Sequence, residues 1–167
     1  MNASPSEALS DVSIPPFDAF LSQDTNPALA ARRFLQTARG ALAENFAPGK
    51  AITPFLRQTS DMVDTVLTRL WLEYVGEHSA AALIAVGGYG RGELFPQSDI
   101  DVLLLTREAP DADTTGQLEQ FVTSLWDTGL QIGHSVRTLA ECAELAKEDL
   151  TVVTTMMESR HLAATPV

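Results

Sequence analysis

The sequence predicts an α/β domain of the α+β kind, with a small sheet behind a helical lead-in. Three observations carry this. Two long stretches with apolar residues at helical spacing fill the first half, short aliphatic runs that read as buried strands follow, and amphipathic segments separate those runs. At 167 residues, the chain suits one core, since a domain near 150 residues buries about 68–70% of its unfolded surface.

Residues 1–26 are rich in Pro, Ser, Asn and Asp and show no sustained period, so they read as a loose arm. Asn26 then offers a cap and Pro27 a first helical position. Leu29, Phe34, Ala38, Leu42 and Phe46 recur near helical spacing until Pro48-Gly49. Thr53-Pro54 repeats the cap-plus-proline pattern, and Phe55, Met62, Val63, Val66, Leu67, Leu70, Trp71 and Tyr74 make one apolar face before Gly76. These two helices form a lead-in over 27–77, and the core follows over 78–167.

In that core "ALIAVGG" and "DIDVLLLT" read as strands. A helix over about 115–127 carries Leu118, Phe121, Val122, Leu125 and Trp126, and "LQIGHSVRT" is a third strand. Thr138 with Glu141 makes a capping box for another helix, and Asp149 caps a last one carrying Val152, Val153, Met156 and Met157. Cys142, Met156 and Met157 read as apolar filling, and His134 as a structural histidine rather than a ligand.

Composition excludes several classes. The net charge is −11, from 22 acidic and 11 basic residues, which opposes a phosphate-backbone binder that needs clustered Lys and Arg. Nucleic acid is therefore not an expected partner. No apolar run approaches the roughly 18 residues of a membrane helix, so no membrane is expected either. The first residues lack the basic and apolar regions of a secretory signal. The single cysteine suits a reducing cytosol, and a cytoplasmic location is expected.

The chemistry concentrates in "AVGGYGRGELFPQSDIDVLLL", residues 85–105. Successive strand side chains alternate faces, so Asp99 and Asp101 point the same way, with Cα atoms about 6.6 Å apart. Two carboxylates so placed can converge on one hard cation or bridge two about 3.5–4 Å apart. Mg²⁺ suits such a pair, and it would relieve the like-charge repulsion between them. Gly87 and Gly88 leave backbone amides bare for a polyphosphate. Arg91, the one Lys or Arg between residues 70 and 106, stands in the same loop and could pair with a phosphate, or be a surface charge. The spacing fits neither a Walker loop nor a dinucleotide fingerprint.

"GGYGRGELFPQSDID" closely resembles the signature of the nucleotidyltransferase domain of the bacterial PII uridylyltransferase/uridylyl-removing enzymes, in the DNA polymerase beta-like superfamily. The likeness extends to "LWDTGLQIGHSVRT" (125–138) and "TTMMESRHLAA" (154–164). It implies the small mixed sheet of the polymerase beta-like fold. It also implies transfer of UMP from UTP to a tyrosine of the PII nitrogen-regulatory protein with release of pyrophosphate, assisted by two Mg²⁺ ions during turnover. Carried over by residue, Gly87 and Gly88 take the phosphate-loop role and Asp99 and Asp101 the metal-ligand role. Ser98 helps hold a phosphate or caps the strand entry.

Superfamily members usually add a third carboxylate on a neighbouring strand, and "LQIGHSVRT" has none. Glu158 in "MESR", on a predicted helix, is the nearest acidic candidate for a metal ligand. Family members also carry an HD hydrolase domain and glutamine-sensing ACT domains. Three histidines, none in a His-Asp pair, cannot supply the hydrolase site. The chain therefore reads as an N-terminal portion cut short near its C-terminal end, with glutamine sensed only through domains outside it. Whether that portion is active alone stays open. An adenylyltransferase of the same superfamily and a non-catalytic nucleotide-binding remnant remain the alternatives.

Overall fold

Aliphatic residues at helical spacing and three aliphatic runs dictate most of the architecture seen in the computed structural model, which describes residues 14–46, 51–77 and 79–164. The lead-in comprises α1 (Phe17–Leu21), α2 (Pro27–Asn45) and α3 (Ile52–Tyr74). The remainder runs β1 (Ala81–Ala85), a one-turn α4 (Gly87–Gly90), β2 (Ile100–Thr106), α5 (Ala112–Asp127), β3 (Ile132–Thr138), α6 (Leu139–Glu148), α7 (Leu150–Met157) and β4 (Arg160–Ala164).

Capping chemistry sets several boundaries. The Asn26 side chain accepts from Ala28 N at 2.9 Å with Pro27 at the first turn of α2, and Asp111 accepts from Thr114 N at 2.8 Å to start α5. Thr138 and Glu141 close their capping box. Asp149 accepts from Thr151 N at 2.8 Å at the head of α7. The helix α3 departs from expectation. It begins one residue earlier than Thr53, after Ala51, with no side-chain cap, and Thr53 is already inside it.

The sheet order is β3-β2-β1-β4. Strand β1 pairs antiparallel with β2 and with β4, while β2 and β3 run parallel across α5. The sheet is therefore mixed, as the resemblance implies. Strand β4 is an addition to the expected set. It forms because β1 has a second edge to satisfy, and the register there shifts between Leu83 and Ile84.

One core joins the lead-in to the sheet. Val63, Val66, Leu67, Leu70 and Trp71 of α3 and Phe34 and Ala38 of α2 pack with Leu83, Ile100, Val102, Leu104 and Phe121. Trp71 and Phe121 meet edge to face at 5.1 Å. The lead-in is thus half of the domain's own core.

The loose arm needs a correction over 14–26. Phe17 and Phe20 of α1 are buried against Phe34, with ring centroids 5.2 and 5.7 Å away. Burial of two aromatics outweighs the flanking prolines. Residues 1–13 lie outside the described residues. A second correction concerns Met157, which is 80% exposed at the end of α7, while Met156 only flanks a small cluster of Val86, Leu103 and Cys142. No described helix is long and apolar enough to cross a membrane.

Candidate active site

The site is built where β1 gives way to the glycine turn and β2 begins. The chain leaves a buried strand and reverses at once, and Gly87 takes φ 60° to do so, a left-handed conformation that a Cβ disfavours. The turn closes through Gly90 N–H to Val86 O at 3.1 Å and Arg91 N–H to Gly87 O at 3.3 Å. Val86 N–H donates to Asp101 O at 3.0 Å, which fastens the head of the turn to the second aspartate's backbone. Gly90 is required for another reason: a Cβ there would overlap the carbonyl group of Glu158.

Asp101 lies between two glycines from different elements. The register pairs it with Gly133 of β3, where a Cβ would collide with Asp101 Oδ1, and a Cβ at Gly87 would stand 3.7 Å from Oδ2. The missing Cβ of Gly133 leaves the space that this carboxylate fills, whereas a Cβ at Gly87 would only touch it. Asp99, one residue before β2, is exposed and stands near enough for its charge to act on Asp101. Partial burial, and secondly the charge of Asp99, raise the Asp101 carboxyl above the ordinary value of 3.8. Among the described residues neither aspartate has an ion-pair partner. Two adjacent hard-oxygen donors left in this state fit a divalent cation such as Mg²⁺.

The remaining site residues fall into two groups. Arg91 belongs to the turn: a Cβ at Gly88 would be 3.6 Å from its Nη2. Its guanidinium is paired with Glu158 at 2.6 Å and lies 4.0 Å from Glu93. Ser98 is half-buried at the approach to β2, behind a turn in which Gln97 has φ 68°, and its N–H donates to Phe95 O at 3.1 Å. Glu158 is not helical: α7 stops at Met157, and Glu158 follows as its C-cap.

Among the described residues no three or more His, Cys, Asp or Glu gather to hold a metal, so Glu158 is not brought together with Asp99 and Asp101. Gln131 lies one residue before β3, and Ile100 N–H donates to its carbonyl oxygen at 2.8 Å.

Asp64, Tyr89, Arg160 and Asp61, in and around the turn, were given no role by sequence reasoning. Asp64 of α3 accepts from the Tyr89 hydroxyl at 2.5 Å and from both terminal nitrogens of Arg160. Tyr89 is fully buried, and burial together with Asp64 lifts its hydroxyl well above the ordinary range. Asp61, one turn before Asp64, is raised by burial and then by the Asp64 charge. The available sign was Asp61 and Asp64 on a helix whose neighbours are apolar, though Asp64 pairs 96 residues away.

Comparison with known proteins agrees with this geometry. A family model described as "Nucleotidyltransferase domain" matches residues 69–154, a span holding the glycine turn, both aspartates and β3. Over 148 residues the chain is 44% identical to a "Bifunctional uridylyltransferase/uridylyl-removing enzyme" of Pseudomonas putida, 45% to one of Azotobacter vinelandii and 42% to one of Pseudomonas fluorescens. Each match takes in 88% of this chain and 16% of the relative, so the chain spans about a sixth of the length of the curated relatives it matches. The mixed sheet is that of a polymerase beta-like nucleotidyltransferase fold, and the chain belongs to the nucleotidyltransferase domain family.

Proposed function

We propose that this chain is the transferase part of an enzyme that moves UMP from UTP to a tyrosine of the PII nitrogen-regulatory protein, in the cytoplasm and with Mg²⁺. The observation that carries the reading is the Asp101 carboxylate lodged between Gly87 and Gly133, with the Asp99 charge acting on it. The names of the relatives support the uridylyl group.

In this reaction the acceptor tyrosine hydroxyl gives up its proton to solvent as its oxygen forms a bond to the α-phosphorus of UTP, the bond from that phosphorus to its bridging oxygen breaks, and pyrophosphate leaves. The glycine turn lets the phosphates approach the backbone without meeting a Cβ. Asp99 and Asp101 would hold the Mg²⁺, which supplies positive charge against the phosphate oxygens and lowers the pKa of the attacking hydroxyl. Arg91 exchanges its pairing with Glu158 for one with a phosphate, a swap that half-exposed partners permit.

The test is binding of Mg²⁺·UTP by isothermal titration calorimetry, with Mg²⁺·ATP as competitor. Wild-type protein is expected to bind UTP in preference, and Asp99→Asn/Asp101→Asn to lose the Mg²⁺-dependent affinity. Unchanged binding by the double variant overturns the metal assignment, and preference for ATP overturns the uridylyl assignment.

A further inference from the structure

Asp64, Arg160 and Tyr89 do more than fill space around the glycine turn. A helix leaves its last carbonyls without partners, and in a helix of one turn that end is close to everything the turn does. Arg160 serves this end of α4. Its Nε donates to Gly90 O at 3.3 Å and its Nη2 to Tyr89 O at 3.3 Å, and its guanidinium carbon lies 5.4 Å from the Tyr89 ring centroid. Asp64 in turn fixes Arg160 through both carboxylate oxygens while accepting from the Tyr89 hydroxyl.

The glycine turn is thus gripped from α3 on one side and β4 on the other. Neither Asp64 nor Arg160 lies within residues 69–154, the span of the family model. The Asp64 side chain is 20% exposed and that of Arg160 33%, which shields their charge-assisted bonds from solvent more than a surface pair's.

From this geometry we infer that Asp64 and Arg160 are positioning residues for the nucleotide's phosphates, a role that rests on the function proposed above. A run holding Gly87, Gly88, Gly90 and Gly92 has unusually many backbone states when free, and ordering it costs more entropy than ordering other residues. A ligand that had to order the turn itself would bind more weakly by that amount. The clamp orders it in advance. Arginine is needed because its planar fork reaches a carboxylate and two carbonyls together, which a lysine ammonium cannot do.

The experiment compares the full 167-residue chain with Asp64→Asn, Arg160→Lys and their combination. Leu42→Val in α2, remote from the turn, serves as a control for lost stability. Two quantities are read: the dissociation constant of Mg²⁺·UTP, and hydrogen exchange at the amides of Gly90, Arg91 and Gly92, which close the turn.

Each single variant is expected to weaken binding about tenfold and speed exchange at those amides, as loss of charge-assisted hydrogen bonds predicts. The double variant should be no worse than the singles, because the two residues act as one unit, and Leu42→Val should change neither reading. Unaltered binding in both singles overturns the proposal, whatever the exchange shows. So does a Leu42→Val variant that loses affinity in proportion to its lowered Tm. A wild-type chain that binds no magnesium nucleotide overturns the parent function and this inference with it, which separates that failure from failure of the clamp alone.

Discussion

On one face of the sheet Ile100, Val102 and Leu104 of β2 meet α2, α3 and α5, and Val63, Val66, Leu67, Leu70 and Phe121 have no exposed surface there. On the other face Leu103 shares a small buried cluster with Val86 and Cys142, flanked by half-buried Ile84, Leu105 and Met156. The helix α7 beside it has no buried residue, and its Leu150 and Met157 are 76% and 80% exposed. The even positions of β2 hold the fold together, while the odd positions begin with Asp101. A face filled with helices could not admit a nucleotide, and carboxylates on that face would be dehydrated without compensation. Parity along one strand therefore separates stability from chemistry.

The largest effect that tests this separation is on folding. Truncating Phe121 to Ala removes a fully buried ring and its contact with Trp71. It should cost about 3–5 kcal/mol in denaturant unfolding, whereas Leu150→Ala should stay within about 0.5 kcal/mol. Comparable losses from the two would mean that α7 contributes to the core after all.

A smaller effect should appear in binding with stability held. Gly133 sits on an edge strand, where alanine ordinarily stabilises by about 0.5–1 kcal/mol relative to glycine. Here the added Cβ would drive the Asp101 carboxylate from its place. Gly133→Ala should therefore keep or raise Tm while weakening Mg²⁺·UTP binding in a calorimetric titration. A variant that lost both together would show Gly133 to be structural, and one that lost neither would show that Asp101 has room to spare.

The thick face was the legible one. Periodic apolar residues in α2, α3 and α5 announce themselves because each helix repeats its pattern over several turns, and the caps at Asn26, Thr138 and Asp149 depend only on neighbours in sequence. The nearness of Asp99 to Asp101, two residues apart, follows from their spacing alone. What could not be read depends on partners far along the chain. The helix α1 has five residues, too few for a period, and exists because Phe34 receives its phenylalanines.

"RHLAA" has no strand pattern and becomes β4 by completing the edge of β1. Met157 carries a core-type side chain on a helix that buries none of its residues. The clamp joins residues 96 positions apart, and the tie between Gly133 and Asp101 required the parallel register. Half of the site was therefore visible as a motif, and the half that shapes it was visible only in the fold.

The smallest effect concerns the charge that Asp101 carries on the thin face. Its carboxyl titrates above the ordinary aspartate value of 3.8, through burial first and Asp99 second. Between that value and the raised one, the folded chain keeps a proton that the unfolded chain has released, so stability falls as pH rises through this interval. Above it the folded state carries the full penalty. Without divalent ions, Asp101→Asn should thus show a slightly higher Tm than wild type at neutral pH, with the difference closing toward pH 3.8. Added Mg²⁺ should reverse the order by stabilising the wild type alone, since a ligand of the native state raises its apparent stability. The reversal would show the acidic pair to be destabilising by itself and tolerated for what it binds. A wild type more stable than Asp101→Asn in chelator at neutral pH would instead make Asp101 part of the framework, and the distinction between the two faces would fail at the residue on which the chemistry depends.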